Sequence, residues 1–534
     1  MDNTLETRPD FGWNEHVRRL GLLMLLALAL LSWLRSHTDV LFADGLRYIA
    51  QAQRFAGGQW QDGVQKSVDH PIYPLAIAAS HWLRGGGDRP LDWQGAAQAA
   101  SVLAGVLLVI PLYLVCLELF GPHTAWLGSF LFLLAPQTGP ILADVLSEGT
   151  FLLFWLTGLY AGLRFLREGS FWLLPLLILF SGLAYLTRPE GLLLPAATVL
   201  TLLLTPLLRS TRLCWPRWWA AVGILVLGPL LIITPYVMTK GGLGTKPGIA
   251  RVLGLAARSP SDSVERARPI EPGETELQSY GHALKAVAGS VTEMVTPWLL
   301  PLAALGLILA FRPLAPRARV ALMLTVLLTA SFLALLRLYV TGGYCAPRHA
   351  IAVSVPLFGA AGFGLRWLLG RVSISGRSFG LGQGRYTLGP AVWALLLLAY
   401  CAASFPTLTR PLNVAMVGYR QAADWLVTHD ASGNRVVDAT GWSLFYGERA
   451  GYTFPTLRNA TADTDARWVV VREAHLAGPW WYCQVNRDLV GKREPVAVFP
   501  ADPCGKQSRV LVFDRSLPET RAISWADELI NRRR

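Results

Sequence analysis

Apolar runs closed by short polar turns recur along most of this chain. A helix that crosses a bilayer needs about 20 predominantly apolar residues. Runs near that length fall at Leu20–Leu34, Ala96–Phe120, Thr124–Leu142, Gly149–Phe165, Trp172–Leu186, Gly191–Leu208, Trp219–Val237, Thr292–Phe311, Val320–Leu338, Ala350–Leu368 and Leu388–Phe405. They predict an α-helical polytopic membrane protein with about 11 transmembrane helices. Prolines inside several runs (Pro111, Pro195, Pro229, Pro356) are compatible with this, because packed neighbours re-satisfy the backbone groups they free.

Two departures from the pattern divide the chain. The first is a polar island over residues 35–95, between the first and second runs. Within it Ala50–Gln61 and Ile72–Leu83 are amphipathic and too short to span, and are expected to lie in the plane of the membrane interface. The second departure follows Phe405. Arg420–Leu426 reads as helix, and Arg435–Asp438, Trp468–Arg472 and Arg509–Phe513 read as short β-branched strands between turn residues. The expected organisation is a transmembrane domain over residues 1–405 and a small C-terminal α/β extramembrane domain over 406–534. A further polar stretch, Lys240–Gly289, is rich in Gly, Pro and mixed charge, and reads as a lid or a plain linker.

Composition agrees with the pattern. Of 534 residues, 53% are hydrophobic and 16% charged, against roughly a quarter charged in soluble domains. The formal net charge of +13 would suggest nucleic acid in a soluble protein. Here no nucleic-acid motif or aromatic-interleaved basic patch accompanies it. The arginines concentrate instead in alternate loops: Arg164 and Arg167, then Arg209, Arg212 and Arg217, then Arg312, Arg317 and Arg319, then Arg366, Arg371, Arg377 and Arg385. By the positive-inside rule these loops are cytoplasmic. That places the N-terminus in the cytoplasm, and the residue 35–95 loop and the C-terminal domain on the periplasmic or extracellular side. Leu20–Leu34 follows Arg18 and Arg19 and closes without a small-x-small site, so it is expected to be a retained first span. Cys116, Cys214 and Cys401 fall in or beside apolar runs and read as core residues. Cys483 and Cys504 lie in the polar C-terminal region, where an oxidising compartment would let them pair.

Ionisable groups at the ends of spans are costly unless paired or functional. On the outer side these are Asp44-Gly45 with Tyr48, Asp69-His70-Pro71 with Tyr73-Pro74, Asp144 with Glu148, and two arginine turns, Leu186-Thr187-Arg188-Pro189-Glu190-Gly191 and Pro347-Arg348-His349. Asp144 and Glu148 are spaced so that one helix face could carry both; as helix-start caps they would also be favourable. Asp44 suits a helix N-cap as well as a chemical role. Arg188 could pair structurally with Glu190. Asp39, Asp62 and Asp69 read as surface charge.

The order of these motifs resembles the glycosyltransferase C superfamily, in particular its bacterial protein O-mannosyltransferase and lipid A aminoarabinose transferase branch. The resemblance covers roughly residues 20–369. It implies an integral membrane glycosyltransferase that takes a sugar from a polyprenyl-phosphate donor and passes it to a hydroxyl of a lipid, glycan or protein acceptor. It implies Asp44 as the general base, which must reach the proton it accepts. A phosphate leaving group calls for arginine, which bonds phosphate bidentately and stays charged; Arg188 and Arg348 are the candidates, with His349 as helper. Asp144, Glu148 and His70 are candidates for orienting the acceptor. His70 and Glu148 could also hold a divalent metal cation through imidazole and oxygen ligands. Asp44 is followed by Gly45 and Leu46, without a second acid, which leaves metal use open. The alternative is a lipid or sugar transporter or flippase without transfer chemistry. Against it, no internal repeat is visible and charged groups gather at one face, whereas transporters place substrate near the midplane between repeated halves. A third reading is a non-catalytic assembly or sensor protein whose C-terminal domain binds a partner.

Overall fold

The structure is a computed structural model and describes residues 12–207, 215–242, 275–312, 318–369, 374–375, 385–386, 389–478, 480–499, 509–521, 523–525 and 527. The chain forms two compact units. One comprises Met1–Arg35, Gln59–Tyr73 and Ala100–Arg410; the other comprises Ser36–Gly58, Pro74–Ala99 and Pro411–Arg534.

Among the described residues the first α-helices are α1 (Trp13–Ser36), α2 (Ala43–Ala56), α3 (Trp60–Gln65), α4 (Ile72–Leu83), α5 (Pro90–Leu107), α6 (Val109–Phe120), α7 (Pro122–Leu133), α8 (Thr138–Ala143), α9 (Glu148–Glu168), α10 (Leu173–Tyr185), α11 (Leu193–Leu204) and α12 (Trp215–Lys240). The helices Glu276–Val295, Leu299–Ala310, Ala318–Gly342, Ile351–Leu369 and Gly389–Leu408 follow. Among the described residues, each apolar run expected to span falls mainly on helix. By length and composition, 7 helices among the described residues can cross a membrane, or 8 if one bent pair counts as a single span. Leu173–Tyr185 and Ala394–Leu408 are shorter apolar helices.

Two expected spans are broken. Thr124–Leu142 is α7 followed by α8, with Pro136 in the gap. Proline removes a backbone donor and clashes with the preceding turn. Thr292–Phe311 falls across a 92° bend between Glu276–Val295 and Leu299–Ala310. Thr296, the residue before Pro297, adopts φ 74° there; a proline disfavours helical geometry in the residue ahead of it. Of the Lys240–Gly289 stretch, residues 243–274 lie outside the described residues. The remainder includes the start of helix Glu276–Val295, opened by a capping box in which Thr275 Oγ1 accepts from Gln278 N.

In the first unit, close helix contacts depend on glycine. A Cβ on Gly128 of α7 would lie 2.7 Å from Gly359 Cα of helix Ile351–Leu369. Small residues at such crossings let membrane helices approach closely.

The second unit is built on a five-stranded mixed sheet in the order β4-β3-β5-β7-β6. The strands are β3 (Val436–Val437), β4 (Gly451–Tyr452), β5 (Trp468–Arg472), β6 (Ala497–Phe499) and β7 (Val510–Asp514); β1 (Ile374–Ser375) and β2 (Arg385–Tyr386) form a separate pair. Alternation along β5 and β7 buries both faces. Val469, Val471, Leu511 and Phe513 pack with Leu457, Leu476 and Leu489. Trp468, Val470, Val510 and Val512 pack with Tyr419, Ala422 and Leu426 of helix Val417–His429, and also with Val40. The chain just after α1 is thus part of this unit's core. Trp442 Nε1 donates to Leu41 O at 2.9 Å, Tyr446 Oη accepts from Leu41 N at 3.1 Å, and Asn413 Nδ2 donates to Val40 O at 3.0 Å. Cys483 is buried in this unit, and its expected partner Cys504 lies outside the described residues, as does Cys214.

Candidate functional site

The tightest ionic cluster among the expected residues is built on two neighbouring helix ends of the first unit. Glu148 is the first residue of α9, where negative charge is favoured by the helix dipole. Arg188 follows α10 on a tight turn. It is extended, with φ −151° and ψ 144°, as suits the residue before Pro189. Gly191 closes that turn, and a Cβ there would overlap the backbone of Ala184 and Tyr185. Arg188 Nη1 donates to Glu148 Oε1 at 2.7 Å, and Arg188 Nη2 donates to Glu190 Oε1 at 3.1 Å. Its guanidinium lies 5.8 Å from the centre of the Phe151 ring. Glu148 is buried, with a side chain 2% exposed, whereas Glu190 is 38% exposed. Among the described residues Glu148 Oε2 has no hydrogen-bond partner. The structural pairing of Arg188 with Glu190 is therefore present, and a second, buried carboxylate holds the same arginine.

Asp144 does not share a helix face with Glu148. It caps the C-terminal end of α8 in extended conformation, ψ 170°, and its Oδ1 accepts from Val145 N at 2.7 Å. The i, i+4 spacing spans a turn between two helices, because α8 ends before Asp144 and α9 begins only at Glu148. Both acids are buried.

His70 is buried beside the end of α10. Its ring stacks on Tyr236 of α12 at 5.4 Å and meets the edge of Tyr185 of α10 at 5.1 Å. Ile72 N donates to Leu186 O at 3.0 Å, which ties the His70-Pro71 segment to the arginine turn. Asp69, expected as surface charge, is 2% exposed. Ser67 Oγ accepts from Asp69 N at 3.1 Å, which folds the loop inward. Lys240, at the end of α12, donates to the carbonyls of Val64, Gln65 and Ser67 around the C-terminus of α3. A cation is favoured there by the helix dipole. Asp39 is exposed and Asp62 half-exposed, paired with Arg420 and Lys66 respectively.

Arg348 and His349 lie on the turn Pro347–Ala350 that opens helix Ile351–Leu369. His349 Nδ1 accepts from Ala346 N at 3.0 Å, and Tyr344 lies edge-on to its ring. Ser290 Oγ donates to Cys345 O at 3.0 Å, anchoring the turn to helix Glu276–Val295.

Asp44 belongs to the second unit. Helix α2 begins at Ala43 with Phe42 as its N-cap, so Asp44 is inside the first turn and is not the cap. Its Oδ1 pairs with Arg47 at 3.1 Å, and the side chain is 21% exposed.

A divalent cation would need several convergent oxygen or imidazole ligands. Among the described residues no three His, Cys, Asp or Glu side chains gather as such a set. One oxygen of Glu148 is already engaged by Arg188. What the cluster offers is a guanidinium for an anion and a buried carboxylate oxygen that has no partner among the described residues.

The family model described as dolichyl-phosphate-mannose-protein mannosyltransferase matches residues 71–233, a stretch that includes His70's neighbour Pro71, Asp144, Glu148 and Arg188. Over nearly the whole chain the fold is similar to that of solved structures. The apo oligosaccharyltransferase of Archaeoglobus fulgidus matches with a TM-score of 0.58 at 11% identity, over 97% of this chain and 76% of that one. ArnT from Cupriavidus metallidurans, bound to undecaprenyl phosphate, matches with a TM-score of 0.57 at 15% identity, over 95% of this chain and 98% of that one. The Archaeoglobus fulgidus oligosaccharyltransferase has also been solved in complex with zinc and sulfate; that structure matches with a TM-score of 0.59 at 11% identity, over 91% of this chain and 72% of that one. No curated protein matches in sequence. The fold is similar to that of these solved structures, which is the fold the resemblance leads one to expect.

Proposed function

We propose that this chain is a membrane glycosyltransferase that moves a sugar from a polyprenyl-phosphate donor to an acceptor hydroxyl, outside the cytoplasm. The observation that carries the reading is the fold shared along almost the full length of both chains with ArnT bound to undecaprenyl phosphate. Fold alone hosts many functions, so the residues must supply the chemistry. Arg188 binds the donor phosphate. Glu148 holds its guanidinium in place from the buried side, and the more exposed Glu190 is the carboxylate a phosphate replaces. Arg348 contributes a second guanidinium, with His349 beside it. Asp44 takes the proton from the acceptor hydroxyl as its oxygen attacks the anomeric carbon, and the phosphate leaves with the bonding electrons. Inversion at that carbon follows from a single displacement. Asp144, Glu148 and His70 orient the acceptor; Glu148 Oε2 is an acceptor atom for its hydroxyl. The sugar is a hexose or pentose unit, and the acceptor is a lipid, glycan or protein hydroxyl.

His70 and Glu148 remain the candidate metal ligands, with further ligands needed from the substrate phosphate or from outside the described residues. EDTA treatment of the purified enzyme decides this. Unchanged transfer is the expected outcome; loss restored by magnesium or manganese would establish a cation at the site.

The role of Asp44 is tested by Asp44→Asn, which keeps the shape and removes the base. Transfer of a labelled sugar from a polyprenyl-phosphate donor should fall by roughly 10²–10⁴-fold with unchanged thermal unfolding. Near-normal turnover would remove Asp44 from the mechanism. The 92° helix break favours a transporter as the second reading, since discontinuous helices form transporter sites. In proteoliposomes, movement of the lipid-linked sugar without covalent transfer would select it.

A further inference from the structure

At the opposite end of the first unit's helices lies a cavity of about 610 Å3. It is bounded by the N-terminal part of α1, the start of α7 and the last turns of helix Ile351–Leu369. Its polar wall is basic: Arg18, Arg19 and Arg366, with His123 between them. Glu15 is the one carboxylate in the lining, and it pairs with Arg18 at 2.7 Å and Arg19 at 2.6 Å. Three guanidiniums against one carboxylate leave the cavity with two net positive charges when His123 is neutral. Among the described residues no carboxylate pairs with Arg366. The remaining wall is apolar, formed by Leu22, Leu127 and Trp126.

The packing explains why these groups meet. Gly128 lets α7 approach helix Ile351–Leu369 at Gly359, and Gly362 lies against Gly128 N. That close crossing brings the turn bearing His123 and Trp126 beside Arg366. On α1, the i+3 and i+4 spacing from Glu15 holds both arginines on one helix face.

We propose that this cavity binds the phosphate of an anionic phospholipid headgroup. Guanidiniums recognise phosphate oxygens by paired hydrogen bonds. Basic pockets between spanning helices near the membrane surface suit lipid headgroups, and tryptophan favours that interfacial level. The leucine wall gives the first carbons of an acyl chain an apolar surface, which a free phosphate would not use. The cavity lining shares no residue with those assigned to transfer, and its occupancy is independent of glycosyl transfer.

The test uses the full chain, delipidated in detergent, with binding read by native mass spectrometry. Phosphatidylglycerol, phosphatidylcholine and inorganic phosphate are the three probes. Phosphatidylglycerol should be retained in preference to phosphatidylcholine. Arg366→Gln should weaken that retention by about fivefold, the effect of removing one basic group near an anionic lipid surface. Arg18→Gln, at a side chain 71% exposed and tolerant of change, should do the same if Arg366→Gln fails to fold. Transfer activity should persist in both variants. Equal retention of the two lipids, or an undiminished preference in the variants, overturns the proposal. Variant-sensitive binding of inorganic phosphate without lipid preference would also overturn it and assign the cavity to a free anion.

Discussion

Arg188 and Glu148 share a charge pair in which one partner is almost wholly buried. Removing one member of such a pair leaves an uncompensated buried charge and costs about 3–5 kcal/mol. Arg188→Ala should therefore lower stability by about that amount as well as weaken donor binding, and Arg188→Ala combined with Glu148→Ala should recover part of the loss. A thermal double-mutant cycle measures this; strictly additive effects would mean the pair is not coupled. His475, in the second unit, makes a different prediction. Burial, with Arg472 nearby, pushes its imidazole down to about 4. Its unfolded value is about 6.5, so between these pH values the unfolded chain binds more protons and stability falls as pH drops. His475→Phe should flatten that dependence in thermal unfolding followed from pH 7 to pH 4. At this scale the sequence exposed the arginine turn and Glu148, because charge at the end of an apolar run is conspicuous. It did not expose Asp69, whose burial depends on how the loop folds inward, or Tyr185 and Tyr236, which looked like ordinary residues of apolar helices.

The helices themselves were readable because each apolar run is long and bounded by polar turns. Their breaks were not. Pro136 and Pro297 interrupt helices, whereas Pro229 and Pro356 lie inside intact ones; membrane packing tolerates some prolines, so their presence alone does not mark a break. Likewise the Asp144–Glu148 spacing suggested one helix face, and the turn between α8 and α9 removed it. Strands β5 and β7 were visible as β-branched stretches, while β4 and β6, two and three residues long, carry too little pattern to stand out. Close helix contact gives a further expectation. Gly128→Leu must push α7 away from Gly359, and overpacking of this kind costs about 1–3 kcal/mol. A lowered unfolding temperature is the expected result; an unchanged one would mean that the crossing is not tightly packed.

At the scale of the molecule, two compact units coexist, and the residues just after α1 belong with the C-terminal sheet. Sequence order hides this, since Val40 and Leu41 are separated from Trp442 by some 400 positions yet share its core or its hydrogen bonds. The membrane-spanning architecture follows from composition and periodicity, whereas the glycosyltransferase reading needs both the ordered motifs and the shared fold. The most direct measurement incubates the purified full chain with a labelled polyprenyl-phosphate sugar and a panel of lipid, glycan and peptide hydroxyl acceptors. Label joined covalently to an acceptor, with release of polyprenyl phosphate, is expected in the intact protein, and its near loss in Asp44→Asn. Donor that is bound or moved across a bilayer but never transferred to any acceptor in the panel would contradict it.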